Sequence, residues 1–575
     1  MRIRRTGVVA LAALVAALAA PASAFAHAAL LHTSPSASVT VNVPPKEVQL
    51  TYSEAVEPRF AVVSVTDPNA TQQTDGSPAR SPTDPNTLVV PLKKLNEGWY
   101  LVYWRVISAD GHPVRGAFTF AVGPNPGPAP QFVIPSLSES AATPSLLIAR
   151  WATFLLAMAA VGLLVLRTLV VRDLPRRVPG ASVRSVSAAF FVTIAGALIA
   201  TPIYVEISTA KFAQRSVFDL TDVVPLLTAS NFGRGFVDFE LVLALLAIAG
   251  GIAIWLDSGE RRQRTTAVLL ALGGALAAAG SLMLIPGLAG HAAETSPRWL
   301  SLALDWTHLA SGSIWIGGLV GLLMLSWKLG AQRVQALAVA VPRFSRTALV
   351  SVLTLVGTGI GSALTHFPTL ASLWDTSYGK SLVLKLGFLA GTIAIAAANF
   401  SWTTPRFVRA RESAGSDGPT SVLGILVSGE VLLVAGAFFG AALLTSLPPP
   451  PKALANLGTA SAHVGPGPAD TVVTKDGYKL RFRFTPNKAA VPNSFSVAVT
   501  KNGKPVRGAD VTATFTMLDM EMGQLAYNLP ELSPGVFGRG NTPALVMVGH
   551  WGINFDIRTP DGTPLSVLLL DHATG

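Results

Sequence analysis

Residues 145–171, SLLIARWATFLLAMAAVGLLVLRTLVV, decide the fold. The stretch carries only two charges, Arg150 and Arg167, and runs well beyond the roughly 18 apolar residues that mark a membrane-spanning helix. A helix closes its backbone hydrogen bonds internally, which is what lipid demands of a spanning segment. Seven further stretches read the same way, at roughly 186–206, 236–256, 265–288, 301–327, 346–365, 381–400 and 421–446. The middle of the chain, 145–447, is therefore expected to be an eight-helix transmembrane bundle.

The loops give that bundle a direction. Those after spans one, three, five and seven hold Arg172, Arg176, Arg177, Arg184, Arg261, Arg262, Arg264, Lys328, Arg333, Arg343, Arg346, Arg406, Arg409 and Arg411. The intervening loops hold only Lys211, Arg215, Arg234, Arg298 and Lys380. Fourteen cations against five place the richer set in the cytoplasm and both ends of the chain outside the plasma membrane. The net charge of +11 thus belongs to membrane topology and is no sign of a nucleic-acid partner. The chain has no cysteine, so disulfides and thiolate metal sites are excluded.

Two soluble domains flank the bundle. Arg2, Arg4 and Arg5, the apolar run Val8 to Ala20 and the small-x-small signal Ala24-Phe25-Ala26 read as a signal peptide over 1–26. Residues 27–123 contain runs of β-branched and aromatic residues at 46–66, 99–107 and 116–122, with no helical period, which predicts an antiparallel β-sandwich. A linker at 124–144 leads to the bundle, and a second at 448–469 follows Pro448-Pro449-Pro450-Pro451. Short strands at 478–486, 494–500, 510–518 and 545–569 make 470–575 another small β-sandwich candidate.

The residues that carry chemistry are histidines, acids and methionines. Cleavage after Ala26 leaves His27 with a free amine, which closes a chelate with its own ring nitrogen. Asp110-Gly111-His112 supplies a carboxylate and a second imidazole. Pro113 pushes His112 toward extended geometry, and residues i and i+2 of an extended segment point to one side. This nitrogen and oxygen set suits Cu(II). In the bundle, His291 and His366 fall at the outer end, and His308 lies seven residues into span five. Asp305 and Trp315 share its helix face. His308 is either a metal-related residue with Asp305 orienting its ring, or a hydrogen-bonded packing residue. Gly317-Gly318 would let another helix approach closely. Lys385 is expected to pair with Glu430, as a structural pair or in translocation. Met517, Met520 and Met522, with His550, form either a soft site for Cu(I) or part of a packed core. His463 and His572 receive no role.

Three family resemblances follow from these residues. The segments HAALLHTSPSASV, PPKEVQLTYSEAVEP and VISADGHPVRGAFTFAV resemble the CopC family of extracytoplasmic copper-binding proteins, which implies His27, Asp110 and His112 as Cu(II) ligands. Some members of that family add a methionine-rich Cu(I) loop, and this domain has no methionine. GLAGHAAE, LDWTHLASGSIWIGGLVGL, LWDTSYGKSLVLKLGFL and GEVLLVAGAFFGAALLTSLPP resemble the CopD family of copper-resistance membrane proteins, which implies copper movement across the inner membrane, inward. GKPVRGADVTATFTMLDMEMG and VMVGHWGINFDI resemble the YtkA-like domain.

The expected function is copper capture outside the membrane, transfer to the bundle, and copper homeostasis or resistance without enzymatic activity. Copper ions, the bilayer and extracytoplasmic copper chaperones are the expected partners. Two other classes stay open. Membrane histidines also ligate haem in electron carriers, though here they gather near the outer surface. A histidine chelating through its amine also serves copper-dependent oxidases, though a carboxylate partner favours resting Cu(II).

Overall fold

The computed structural model describes residues 28–574 apart from 29, 37–38, 109–110, 112, 128–129, 131–142, 258–262, 294, 329–331, 404, 406–417, 448–449, 451–458, 490, 519–523, 543 and 547. The signal-peptide segment and His27 lie outside the described residues. Two compact units result: a helical one, and one that holds both β-domains together with 367–380.

In the N-terminal domain, one sheet has the order β1-β3-β6-β5 and the other β2-β8-β7-β4. The strands are β1 Leu30–Ser34, β2 Thr40–Val41, β3 Glu47–Tyr52, β4 Val62–Thr66, β5 Ala79–Arg80, β6 Thr87–Pro91, β7 Gly98–Ile107 and β8 Pro113–Val122. Alternation in β3 sends Val48, Leu50 and Tyr52 inward. They meet Val102, Trp104, Val114, Phe118 and Phe120 in the core, with the Tyr52 and Trp104 rings edge to face at 5.7 Å. Gly116 is required there, because a Cβ would stand 2.8 Å from the Trp104 ring.

The other faces of β7 and β8 are buried too. Leu101, Tyr103 and Ala117 form a separate cluster, and the Ala117 amide donates to the Val546 carbonyl of the C-terminal domain at 3.2 Å. Burial on both faces is why WYLVYWRVI reads as a nearly continuous apolar run.

The C-terminal domain pairs a sheet β10-β11-β12-β17-β16 with a sheet β15-β14-β18-β19-β9. Its strands run β9 Ala460–Val464, β10 Ala469–Lys475, β11 Tyr478–Thr485, β12 Asn493–Lys501, β13 Lys504–Pro505, β14 Asp510–Met517, β15 Leu525–Asn528, β16 Glu531–Ser533, β17 Val536–Thr542, β18 Gly549–Arg558 and β19 Pro564–Ala573. YKLRFRFT in β11 alternates strictly, burying Tyr478, Leu480, Phe482 and Phe484. Asp561 fastens the β18–β19 turn by accepting from Tyr478 Oη at 2.6 Å and Lys501 Nζ at 3.0 Å.

Among the described residues, the helical unit contains eight helices long and apolar enough to cross a membrane. They are α1 Pro144–Val165, α2 Arg184–Ala213, α3 Asn231–Leu256, α4 Thr266–Leu288, α5 Arg298–Lys328, α6 Arg333–His366, α7 Ser377–Ala398 and α8 Gly418–Leu444. Helices α1 and α5 are the most buried. They cross where Gly317 meets Gly162, and a Cβ on either residue would collide with the other helix's backbone. At one end of the bundle, Asp257 accepts from Arg172 at 2.9 Å and forms an ion pair with Arg264 at 3.0 Å.

Two expectations change. Helix α6 starts at Arg333, well before the expected 346, so Arg343 is a helix residue that donates to Asp173. Pro342 sits inside it, which a membrane helix tolerates when neighbours satisfy the freed backbone groups. The expected Lys385–Glu430 pair does not form. Glu430 is buried and accepts from Asn399 Nδ2. Lys385 packs instead on Gly440, ten residues from Glu430 and so roughly 15 Å along α8.

Candidate metal centre

In the chain, the Asp110-Gly111-His112 motif falls between β7 and β8, and Gly111 is its described residue. The two strands pair from Gly98↔Val122 to Ile107↔Pro113, so their last rung fixes where the turn begins and ends. Gly111 takes φ +83°, which glycine adopts without strain, and its amide donates to the Ser108 carbonyl at 2.9 Å. Pro113 opens β8 in extended geometry. Asp110 and His112 themselves lie outside the described residues, as does His27. Among their described neighbours, Ala28 is fully buried, and Leu30 is in register with Tyr52.

In the bundle, His308 is half-buried on α5. Its Nδ1 lies 3.0 Å from Thr358 Oγ1 of α6. The Thr358 hydroxyl has one hydrogen, and that hydrogen goes to the Thr354 carbonyl at 2.7 Å. With the hydroxyl hydrogen assigned to that carbonyl, Thr358 accepts from His308 Nδ1–H, and the neutral ring's lone pair is on Nε2. That is the tautomer in which an imidazole binds a metal through Nε2. Thr358, rather than Asp305, orients the ring. Asp305 faces Gly287 of α4, where a Cβ would stand 2.7 Å from Oδ2. Trp315 is buried in the bundle core.

His366, at the end of α6, is built differently. Its Nδ1 lies 2.8 Å from the Ser362 carbonyl and so carries the proton, while Nε2 stands 3.2 Å from Thr295 Oγ1. Both ring nitrogens are thus engaged, Nδ1 within α6 and Nε2 with the loop before α5. His291 begins a short 3-10 turn, His291–Ala293, and its side chain lies outside the described residues. At the bundle's other end, a cavity of about 560 Å³ is lined by Arg172, Arg176, Arg264, Arg343 and Arg346 with Asp173.

The methionine cluster separates. Met517 is 2% exposed and packs in the C-terminal core. Its register partner is Trp551, so His550, one residue away, stands on the opposite face. The structure does not bring Met517 and His550 together, and Met520 and Met522 lie outside the described residues. His550 pairs instead with His572: they are in register across β18 and β19, with rings stacked 4.7 Å apart. Inside that sheet, burial pushes the Asp571 carboxyl up to about 6, although Asn487 donates to it at 2.8 Å.

Sequence reasoning missed Thr358 and His572. A hydroxyl on an apolar helix was the only signal for Thr358, and nothing short of strand register could pair residues 550 and 572.

Eight apolar helices between two β-domains define a multi-pass membrane protein. The CopC domain family model matches residues 30–123, that of copper resistance protein D matches 338–444, and the YtkA-like model matches 473–555. The copper transport protein CutJ of Bacillus subtilis (strain 168) is 25% identical over 557 residues, covering 95% of this chain and 96% of CutJ. Protein YobA of Escherichia coli (strain K12) is 39% identical over 114 residues, 20% of this chain and 91% of YobA. The crystal structure of CopC from Methylosinus trichosporium OB3b is 32% identical, covers 18% of this chain and 99% of its own, and has a TM-score of 0.17. The chain belongs to the CopC/CopD copper-resistance family, as a fusion that ends in a YtkA-like domain.

Proposed function

We propose that this protein captures Cu(II) outside the plasma membrane with His27, Asp110 and His112 and passes copper inward through the bundle by way of His308. The observation that carries this reading is His308 itself. Thr358 holds its Nδ1–H and leaves Nε2 as the donor on one of the two most buried spanning helices. A buried ionisable group in a membrane is costly without a task, and imidazole accepts either copper oxidation state. The CopC domain upstream and the CopD match downstream support copper as the cargo.

The arginine-lined cavity at one end of the bundle supports a cytoplasmic assignment for that end. Soluble copper chaperones would then meet the sandwiches outside. The reading assigns no catalysis, since the ligands proposed for the first domain favour a resting Cu(II) ion.

Copper uptake into cells or sealed vesicles, with and without the chain, tests the proposal. Faster inward accumulation that requires His112 is expected. Net export, or binding without flux, would overturn it.

A further inference from the structure

Across one face of the C-terminal sheet, a single row of neighbours reads Leu518, His550, His572 and Gly465. The Leu518 amide donates to the His550 carbonyl at 2.8 Å, His550 and His572 are register partners, and Asp571 lies beside Val464 in the parallel pairing of β19 with β9. The two imidazoles are nearly parallel, 11° between planes and 4.7 Å between centres. Both stand on ladder strands, whose hydrogen bonds fix the separation of facing residues to about 4.5–5.5 Å between Cα atoms. The backbone thus fixes the spacing of the pair, while the stacked rings hold their in-plane lone pairs in parallel planes, so both rings turn about Cβ–Cγ to meet one ion.

Gly552, the next residue on the same face of β18, carries no side chain. His572 is exposed and His550 half-buried, so an ion has access from solvent. Met517 faces the core and takes no part. Among the described residues no cluster of three histidines or carboxylates forms, so water or an incoming ligand completes the coordination.

We propose that His550 and His572 form a second metal site in this chain, a two-imidazole site for Cu(II). Two nitrogen donors with solvent in the remaining positions hold the ion loosely, as a relay requires. The metal's identity rests on the copper reading above, whereas the site rests on the imidazole pair. Val546, four residues before His550, accepts from the amide of Ala117 on β8, the strand that starts at the Asp110-Gly111-His112 turn. The second site is thus built on the domain that contacts the first.

The test uses the full-length protein in detergent, with His112→Ala to silence the first domain. Cu(II) alone is the probe, read by equilibrium dialysis and by the nitrogen coupling in its electron paramagnetic resonance spectrum. The expected result is a loosely held equivalent with two-nitrogen coupling. Adding either His572→Ala or His550→Asn should remove it, with each double variant's melting temperature matching that of His112→Ala. Retention of that equivalent in both double variants overturns the proposal, and so does its absence from His112→Ala itself. If wild type also fails to bind at the first domain, the copper reading fails instead.

Discussion

In the N-terminal sandwich, the turn that carries Asp110 and His112 follows the last rung of β7 and β8, while Tyr52, Trp104 and Phe120 make the core elsewhere. In the bundle, His308 reaches Thr358 of the next helix at 3.0 Å, so one side chain serves both packing and chemistry. A domain of the first kind can lose its donors and keep its fold. In the bundle the same loss removes an interhelical tie, and binding must be separated from stability before either is assigned.

The largest effect is expected in the sandwich. His112→Ala, or one extra residue ahead of His27, should weaken Cu(II) binding by more than about 100-fold, beyond the roughly 10–100-fold of removing a group that only orients a ligand. Titration of the isolated mature domain reads the affinity, and its melting temperature should hold. A collapsed melting temperature with intact affinity would erase the contrast between the two regions.

Next comes Thr358→Val, which removes the acceptor for His308 Nδ1–H while keeping side-chain volume. Copper flux should fall about 10–100-fold, the usual cost of losing a group that orients a ligand. Expression and melting should change far less. Equal flux in wild type and variant would show that the ring needs no orientation.

A smaller effect isolates the sandwich core. Gly116→Ala drives a methyl group into the Trp104 ring and should cost about 1–3 kcal/mol, typical of overpacking. Denaturant titration measures it, and Cu(II) affinity of the folded domain should stay at the wild-type value. A matching loss of affinity would tie core and turn together.

The smallest effect concerns the C-terminal domain. Hydrogen bonds from Thr559, Tyr478 and Lys501 hold the Asp561 carboxyl well below the usual carboxylate range. A depressed folded pKa means its stabilisation is fully present above the unfolded value near pH 4 and fades as pH falls. Asp561→Asn should therefore lower the domain's melting temperature at neutral pH and flatten its decline in acid. An unchanged acid profile would show that the turn does not depend on this charge.

The eight spans and two sandwiches were legible because lipid and core burial impose long patterns on the chain. The run 145–171 and the alternation YKLRFRFT needed no partner to be read. The Asp110-Gly111-His112 turn was also local. What escaped were pairings set by geometry between distant elements: Thr358 under His308, Asn399 in place of Lys385 beside Glu430, and His572 across from His550. Met517 stayed open between site and core because a thioether in a β-strand looks the same in sequence whether it faces the core or the surface, and here it faces the core.

The account stands most directly on the difference between His308, whose Nε2 remains as a donor, and His366, whose two nitrogens are engaged by Ser362 and Thr295. Copper accumulation should be measured for His308→Ala and His366→Ala at matched membrane expression and matched thermal stability. The account predicts that His308→Ala abolishes chain-dependent accumulation while His366→Ala keeps most of it. Wild-type accumulation in His308→Ala would contradict it.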